Sequence, residues 1–186
     1  MIDTALNYLS NGSAITLIVL LSLSFYFVLC FWIFIYRFLS VNSKIFNEKK
    51  SLDALTARNA SISPMSALHK CANGANTREI LNACEINIIK EASAGISWMS
   101  IIASTSPFIG LFGTVVGILE SFAKFSSHSK VGFSVIAPAI SEALVATAAG
   151  IFVAIFAYTF HQILTRKVYE LNTYIKAQSE ILIAKG

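Results

Sequence analysis

Apolar residues fall along the chain in three long blocks and two periodic stretches. Ala14 to Tyr36 carries no charge over 23 residues, and about 20 suffice to cross a bilayer. Ala92 to Ala123 holds one charge, Glu120, and Val131 to Thr165 holds one, Glu142. The second and third blocks exceed a single crossing, so they must tilt or project beyond the bilayer. After the third block, Leu164, Val168, Leu171, Ile175, Gln178 and Leu182 alternate spacings of four and three. That heptad-like stripe predicts that span three continues as a helix. Asn73-Gly74 punctuates the segment between the first two blocks. Ile80, Leu81, Cys84 and Ile88 then fall at helical spacing, which predicts a helix leading into span two. The two extensions are expected to pack together. The predicted fold is an all-α membrane protein: three transmembrane helices, with helices two and three extended into the cytoplasm. One domain over 1–186 would hold spans at about 14–36, 97–123 and 133–163, a cytoplasmic loop at 37–96 and a cytoplasmic tail at 164–186.

Composition agrees with the pattern. Of 186 residues, 55% are hydrophobic and 13% charged, and the mean hydropathy is +0.68. A soluble domain carries about 25% charge, so a cytosolic enzyme, a disordered chain and a disulfide-stapled secreted domain are excluded. The net charge is +4, and the orientation follows from where the Lys and Arg residues fall. Segment 37–91 holds eight Lys or Arg and the tail four, against two (Lys124 and Lys130) in the 124–134 loop and none before the first block. The positive-inside rule puts the N-terminus outside and the C-terminus inside. The basic residues lack interleaved stacking aromatics, which argues against a nucleic-acid partner. Before Ala14 there is Asp3 but no Lys or Arg, so a signal peptide's basic n-region is missing. Cys30, Cys71 and Cys84 lack metal-ligand spacing. They are expected to be reduced structural thiols, with no metal or cofactor.

Span one is crowded with bulky residues such as Phe25, Phe31 and Trp32, as suits a helix facing lipid. Spans two and three differ. Gly110, Gly113 and Gly117 form a small stripe flanked by Ser106 and Ser121, and Ala143, Thr147, Gly150, Ala154 and Ala157 form another. Helices in lipid associate where small residues let backbones approach. These two helices are expected to form the protein-facing layer, meeting along their small stripes, with span one outside.

Glu142 is the sharpest single feature. A carboxylate at mid-depth costs roughly 2.5–3.5 kcal/mol on insertion scales and usually marks an ion pathway or a buried partner; the alternative is a place near the outer headgroups. Glu120 reads as interfacial. Thr114 and Thr147 lie in or beside the stripes, where a hydroxyl can both donate and accept and so pass a proton along. The alternative is local, with each hydroxyl bonded to the carbonyl four residues back, on Gly110 and Ala143. Threonines do not ionise at useful pH, so a carboxylate must hold the proton, either Glu142 or one from another chain. Glu142 and Thr147 lie about 140° apart on a straight helix and cannot both face one axis; Pro107 could kink its span, whereas Pro138 sits near a helix start and is tolerated there. His128 lies in the outer loop and His161 near the inner end of span three, and neither is expected to relay protons. No catalytic triad, phosphate loop or zinc spacing supports an enzyme.

Ser106–Gly117 (SPFIGLFGTVVG) followed by Ala137–Gly150 (APAISEALVATAAG) resembles the MotA/TolQ/ExbB proton-channel family, in its TolQ/ExbB branch, with wording slightly nearer TolQ. The resemblance covers about 92–165 closely and the rest in layout. It implies a pentamer in the bacterial inner membrane whose second and third spans surround the single membrane helices of a TolR- or ExbD-like partner bearing an aspartate. Thr114 and Thr147 would then be pore threonines and Glu142 the acidic residue of the third span. The work would reach a TolA-like protein (Tol-Pal type, serving envelope integrity and cell division) or, alternatively, a TonB-like protein serving outer-membrane uptake. Val116 stands where an aromatic is common and Ala139 where a glycine is, which bears on partner identity more than on the channel role. A non-conducting assembly scaffold is the rival reading.

Overall fold

The computed structural model describes residues 14–58, 64–72, 77–126 and 133–185. Asn73-Gly74, His128, Lys130 and the segment before Ala14 lie outside the described residues. Among the described residues five helices follow in order: α1 (Ala14–Arg58), α2 (Ala67–Ala72), α3 (Arg78–Ser93), α4 (Ile96–Ser126) and α5 (Phe133–Lys185). Among the described residues there is no strand. The protein is all-α, and α1, α4 and α5 are each long and apolar enough to span a membrane. At 1.5 Å per residue, 45 residues in α1 make about 67 Å and 53 in α5 about 80 Å. Both lengths far exceed a hydrocarbon core of about 30 Å. Helix α4 runs unbroken through Pro107, and α5 through Pro138 in its second turn.

The chain forms two compact units, Met1–Phe31 with Trp98–Thr159 and Trp32–Ser97 with Phe160–Gly186. In the first unit α5 buries Ala143, Ala146, Gly150, Val153 and Ala157, at spacings of three and four. Ala154 is only half-buried beside this row, and Val153 takes the place expected of it. Span one is not wholly turned to lipid. Thr16, Val19, Leu23 and Cys30 form a buried edge, and Phe27 packs on Phe152 and Phe156 at centroid distances of 5.8 and 5.7 Å. Its remaining faces are exposed at Phe25, Val28 and Ile18.

In the second unit Leu164, Val168, Leu171, Ile175, Gln178 and Leu182 are all buried, so the heptad stripe is the packing face of α5. Its counterpart is the continuation of α1, which buries Val41, Ile45, Glu48, Ser51 and Leu55. Helix α3 buries Leu81, Cys84, Ile88 and Ala92, while Ile80, expected on that face, is exposed. Helix α1 is bonded to each of the two extensions. Gln178 of α5 bonds to Glu48, and Glu91 of α3 pairs with Lys44 at 3.1 Å. A turn at Ala94–Gly95 separates α3 from α4, with Gly95 at φ +86°.

The six-residue α2 is too short to be stable alone, and its free amides are satisfied from outside. Ser66 caps it by accepting from the amides of Leu68 and His69 at 3.2 and 3.5 Å. The Ala67 amide donates to Glu48 Oε1 at 2.6 Å. Glu48 Oε2 also accepts from the Ser66 hydroxyl at 2.8 Å and from Gln178 Nε2 at 2.9 Å. The carboxylate is 1% exposed, and three donors offset its lost hydration. The sequence expectation of free thiols is corrected here. Cys71 and Cys84 form a disulfide, because α2 and α3 bring their Cα atoms to 5.7 Å, while Cys30 is free and buried.

Candidate functional site

Within the first unit the two small stripes meet each other. On α4, Ser106, Gly110, Gly113, Thr114, Gly117 and Ser121 are all buried. A Cβ at Gly110 would lie 2.7 Å from the Ala146 carbonyl oxygen, and one at Gly150 would lie 2.6 Å from that of Ser106. Backbone faces backbone there, and any side chain would force the helices apart. Gly113 and Gly117 serve a second contact: their added Cβ atoms would meet Val19 Cγ1 at 2.9 Å and Ala143 Cβ at 3.0 Å, with Thr16 Oγ1 at 3.5 Å. The stripes therefore face one another and the buried edge of α1. Close packing within the chain covers these glycines.

The glycine contact brings Thr114 and Thr147 together. Their hydroxyls are hydrogen-bonded to each other. Thr114 Oγ1 also lies within bonding distance of the Gly110 carbonyl at 3.3 Å and the Ala143 carbonyl at 3.0 Å. Thr147 Oγ1 reaches the Gly110 carbonyl at 3.2 Å. The local alternative thus holds in part, for Thr114 on Gly110, but both hydroxyls also reach across to the facing helix. Each has a single proton to donate, so at any moment one bonds its neighbour and the other a carbonyl. Such a pair can pass a proton only by rotating a hydroxyl away from a carbonyl, and it cannot store one.

The site is uneven in exposure. Thr114 is 8% exposed and Thr147 half-buried. Beside Thr147, α5 presents Leu144, Ile151 and Ile155, all exposed. Glu142 is half-buried and makes no hydrogen bond or ion pair with another described residue. It directly precedes Ala143, whose carbonyl Thr114 reaches, yet it joins neither threonine. Glu120 and His161 are likewise half-buried and outside the pair. No group of three or more metal-ligating side chains occurs among the described residues.

Three contributors escaped the sequence reading. Ala146, not part of the stripe as read, is fully buried against Gly110 and Gly113. Thr16 and Val19 hide among the bulky residues of span one. Their signal was the spacing Thr16, Val19, Leu23 and Cys30, which follows one helix edge.

A family model for the MotA/TolQ/ExbB proton channel family matches residues 47–177. The chain belongs to this family. It is 39% identical over 188 residues to a Helicobacter pylori protein named putative biopolymer transport protein ExbB-like 1, covering 100% of both chains. It is 38% identical over 96 residues to the Pseudomonas aeruginosa Tol-Pal system protein TolQ, covering 52% of this chain and 37% of that one. Against the Pseudomonas putida biopolymer transport protein ExbB it is 36% identical over 95 residues, or 50% and 29% of the two chains. Relatives of both TolQ and ExbB name place this MotA/TolQ/ExbB chain in the TolQ/ExbB branch. With three helices among the described residues long and apolar enough to cross a membrane, it is a multi-pass inner-membrane protein of a proton-channel family rather than an enzyme family.

Proposed function

We propose that the chain is the proton-channel subunit of an inner-membrane motor that uses the proton motive force to drive an envelope-spanning protein, and that it is not an enzyme. It acts as a single membrane domain, N-terminus periplasmic and C-terminus cytoplasmic, in a homopentamer. The α4 and α5 helices surround the membrane helix of a TolR- or ExbD-like partner that carries an aspartate. Thr114, Thr147 and Glu142 form the proton pathway of this chain. Gly110, Gly113, Gly117, Ala143, Gly150 and Ala154 set the helix packing that holds the threonines in place.

The observation that carries this reading is the hydroxyl pair itself. Thr114 and Thr147 meet where two glycines have cleared the space, and no carboxylate of the described residues is bonded to them. Two hydroxyls that relay but do not store need an acid from outside, and a partner aspartate supplies it. Leu144, Ile151 and Ile155 offer that partner an apolar approach beside Thr147. Protonating the acid removes its charge and changes how the partner helix fits. One charge crossing is worth about 2.3 kcal/mol per 100 mV, enough to bias a packing equilibrium.

The client is TolA-like, as the Ser106–Thr114 wording suggests, serving envelope integrity and cell division. The second reading, a TonB-like client for outer-membrane uptake, is favoured by the full-length likeness to an ExbB-like protein. Copurification with both kinds of partner, followed by the mass of the complex, separates them. The channel role is tested in liposomes holding this chain with the partner subunit. Thr147→Val should leave assembly intact and abolish coupled work; unchanged work removes Thr147 from the pathway. Glu142→Gln should reduce proton flux, and an unaltered flux makes that acid structural. A wild-type complex that conducts no protons, with or without the partner, leaves only the scaffold reading.

A further inference from the structure

We propose that the Cys71–Cys84 disulfide is a thiol-exchange site, opened and closed by low-molecular-weight thiols, with Cys71 as the sulfur attacked. The two cysteines are unlike. Cys71 is exposed on the last turn of α2, whereas Cys84 lies 4% exposed in the buried row of α3. An incoming thiolate must reach one sulfur directly, and access decides which. It attacks Cys71, forms a mixed disulfide there, and expels Cys84 as a thiolate that takes up a proton. A second thiolate attacks the mixed disulfide, releasing the small-molecule disulfide and the Cys71 thiolate. Two electrons pass from two thiols to the protein. The reverse sequence, with a small-molecule disulfide as oxidant, restores the bond.

The place of the bond gives the exchange a consequence. Helix α2 is anchored at its start by Glu48, Ser66 and Gln178, and its far end is tied to α3 through Cys71. At the other end of α3, Glu91 holds to α1 through Lys44, and through Arg37 donating to its carbonyl at 3.4 Å. The chain then continues through Gly95 into α4. Thiol exchange releases the first half of α3 from α2 while its last turn stays fixed. The inference rests on the cytoplasmic placement of segment 37–91 proposed above. In that compartment a disulfide is characteristically transient or redox-sensing rather than a permanent staple.

The test uses the full-length chain purified in detergent, titrated with glutathione and then alkylated, with adducts located by mass spectrometry. The expected result is a glutathione adduct on Cys71 and none on Cys84, with alkylation of Cys84 appearing only as thiol is added. Amide exchange in 67–72 and 78–84 should rise about tenfold or more on reduction, while 164–182 is unchanged. Cys84→Ser, which cannot close the bond, should still take the adduct at Cys71 from oxidised glutathione. An adduct confined to Cys84, a bond that resists millimolar thiol in the folded protein, or exchange rates indifferent to reduction would overturn the proposal. So would two fully reduced thiols in acid-quenched cells after oxidant challenge. A membrane-impermeant maleimide tests the placement separately. Labelling of reduced Cys71 in inverted vesicles supports a cytoplasmic switch. Labelling only in right-side-out vesicles overturns both the placement and the switch, whatever the chemistry in detergent.

Discussion

Gly110 and Gly150 in the first unit, and Leu171 and Ile175 in the second, occupy equivalent positions in helix packing but work in opposite ways. The glycines have no side chain to bury. They bring backbones so close that even a methyl group would strike a carbonyl at 2.6–2.7 Å. The leucine and isoleucine are fully buried and act by filling space. The difference fits the proposed placement of the first unit in the bilayer and the second in water. Lipid tails are as apolar as leucine, so burial adds little drive within a bilayer and close van der Waals contact takes over. In water, burying a Leu or Ile side chain is worth roughly 1.5–3 kcal/mol, and a heptad row suffices. Polar groups divide in the same way. In the first unit, Ser106, Thr114 and Ser121 bond to backbone carbonyls of their own or the facing helix. In the second, Glu48, Ser51, Ser66 and Gln178 bond largely to one another across three segments.

The comparison breaks first at the glycines. Gly150→Val sets branched carbons against the Ser106 carbonyl, with backbone on both sides and no flexible neighbour to yield. Overpacking of this kind costs about 3 kcal/mol or more, and the variant should lose monodisperse folded protein in detergent. A Gly150→Val protein that melts like wild type would mean that close backbone approach does not hold the first unit together.

Next in size is the buried carboxylate of the second unit. Glu48→Ala strands the Ala67 amide and leaves the Ser66 hydroxyl only Gln178 Oε1 at 3.4 Å and the Gln178 amide only the residue 48 carbonyl at 3.0 Å. Each buried group left unmet costs about 1–3 kcal/mol. Neighbours will recover part of this, so a net loss of about 2–3 kcal/mol is expected by denaturant titration, with early amide exchange in 66–72. If exchange rises evenly through both units instead, the second unit does not depend on this cluster.

These contrasts explain what could be read from the sequence. The α5 row from Leu164 to Leu182 was legible because apolar residues at spacings of four and three leave few alternatives. The glycine stripes were legible as close-packing faces, because small residues let backbones approach. The continuation of α1 was missed because its buried row, Val41, Ile45, Glu48, Ser51 and Leu55, has a charge and a hydroxyl at its centre. Pattern reading sends such residues to solvent, whereas donors from α2 and α5 make burial possible here. The disulfide left no trace in spacing, because only the α2–α3 arrangement brings Cys71 to Cys84.

The smallest expected effect lies at the turn between α3 and α4, where neither packing rule applies. Gly95 has φ +86°, and an added Cβ would find only ordinary contacts, with Arg37 Nε at 3.5 Å and Ile33 Cγ2 at 3.8 Å. Space is therefore not the constraint there; backbone conformation is. A left-handed alanine costs roughly 1–2 kcal/mol, so Gly95→Ala should lower stability by about 1 kcal/mol with no change in packing elsewhere. Asparagine tolerates that region better, and Gly95→Asn should recover part of the loss in the same thermal melt. Equal losses for Ala and Asn would point to crowding by Arg37, which would make this glycine one more close-approach site and extend the rule of the first unit into the second.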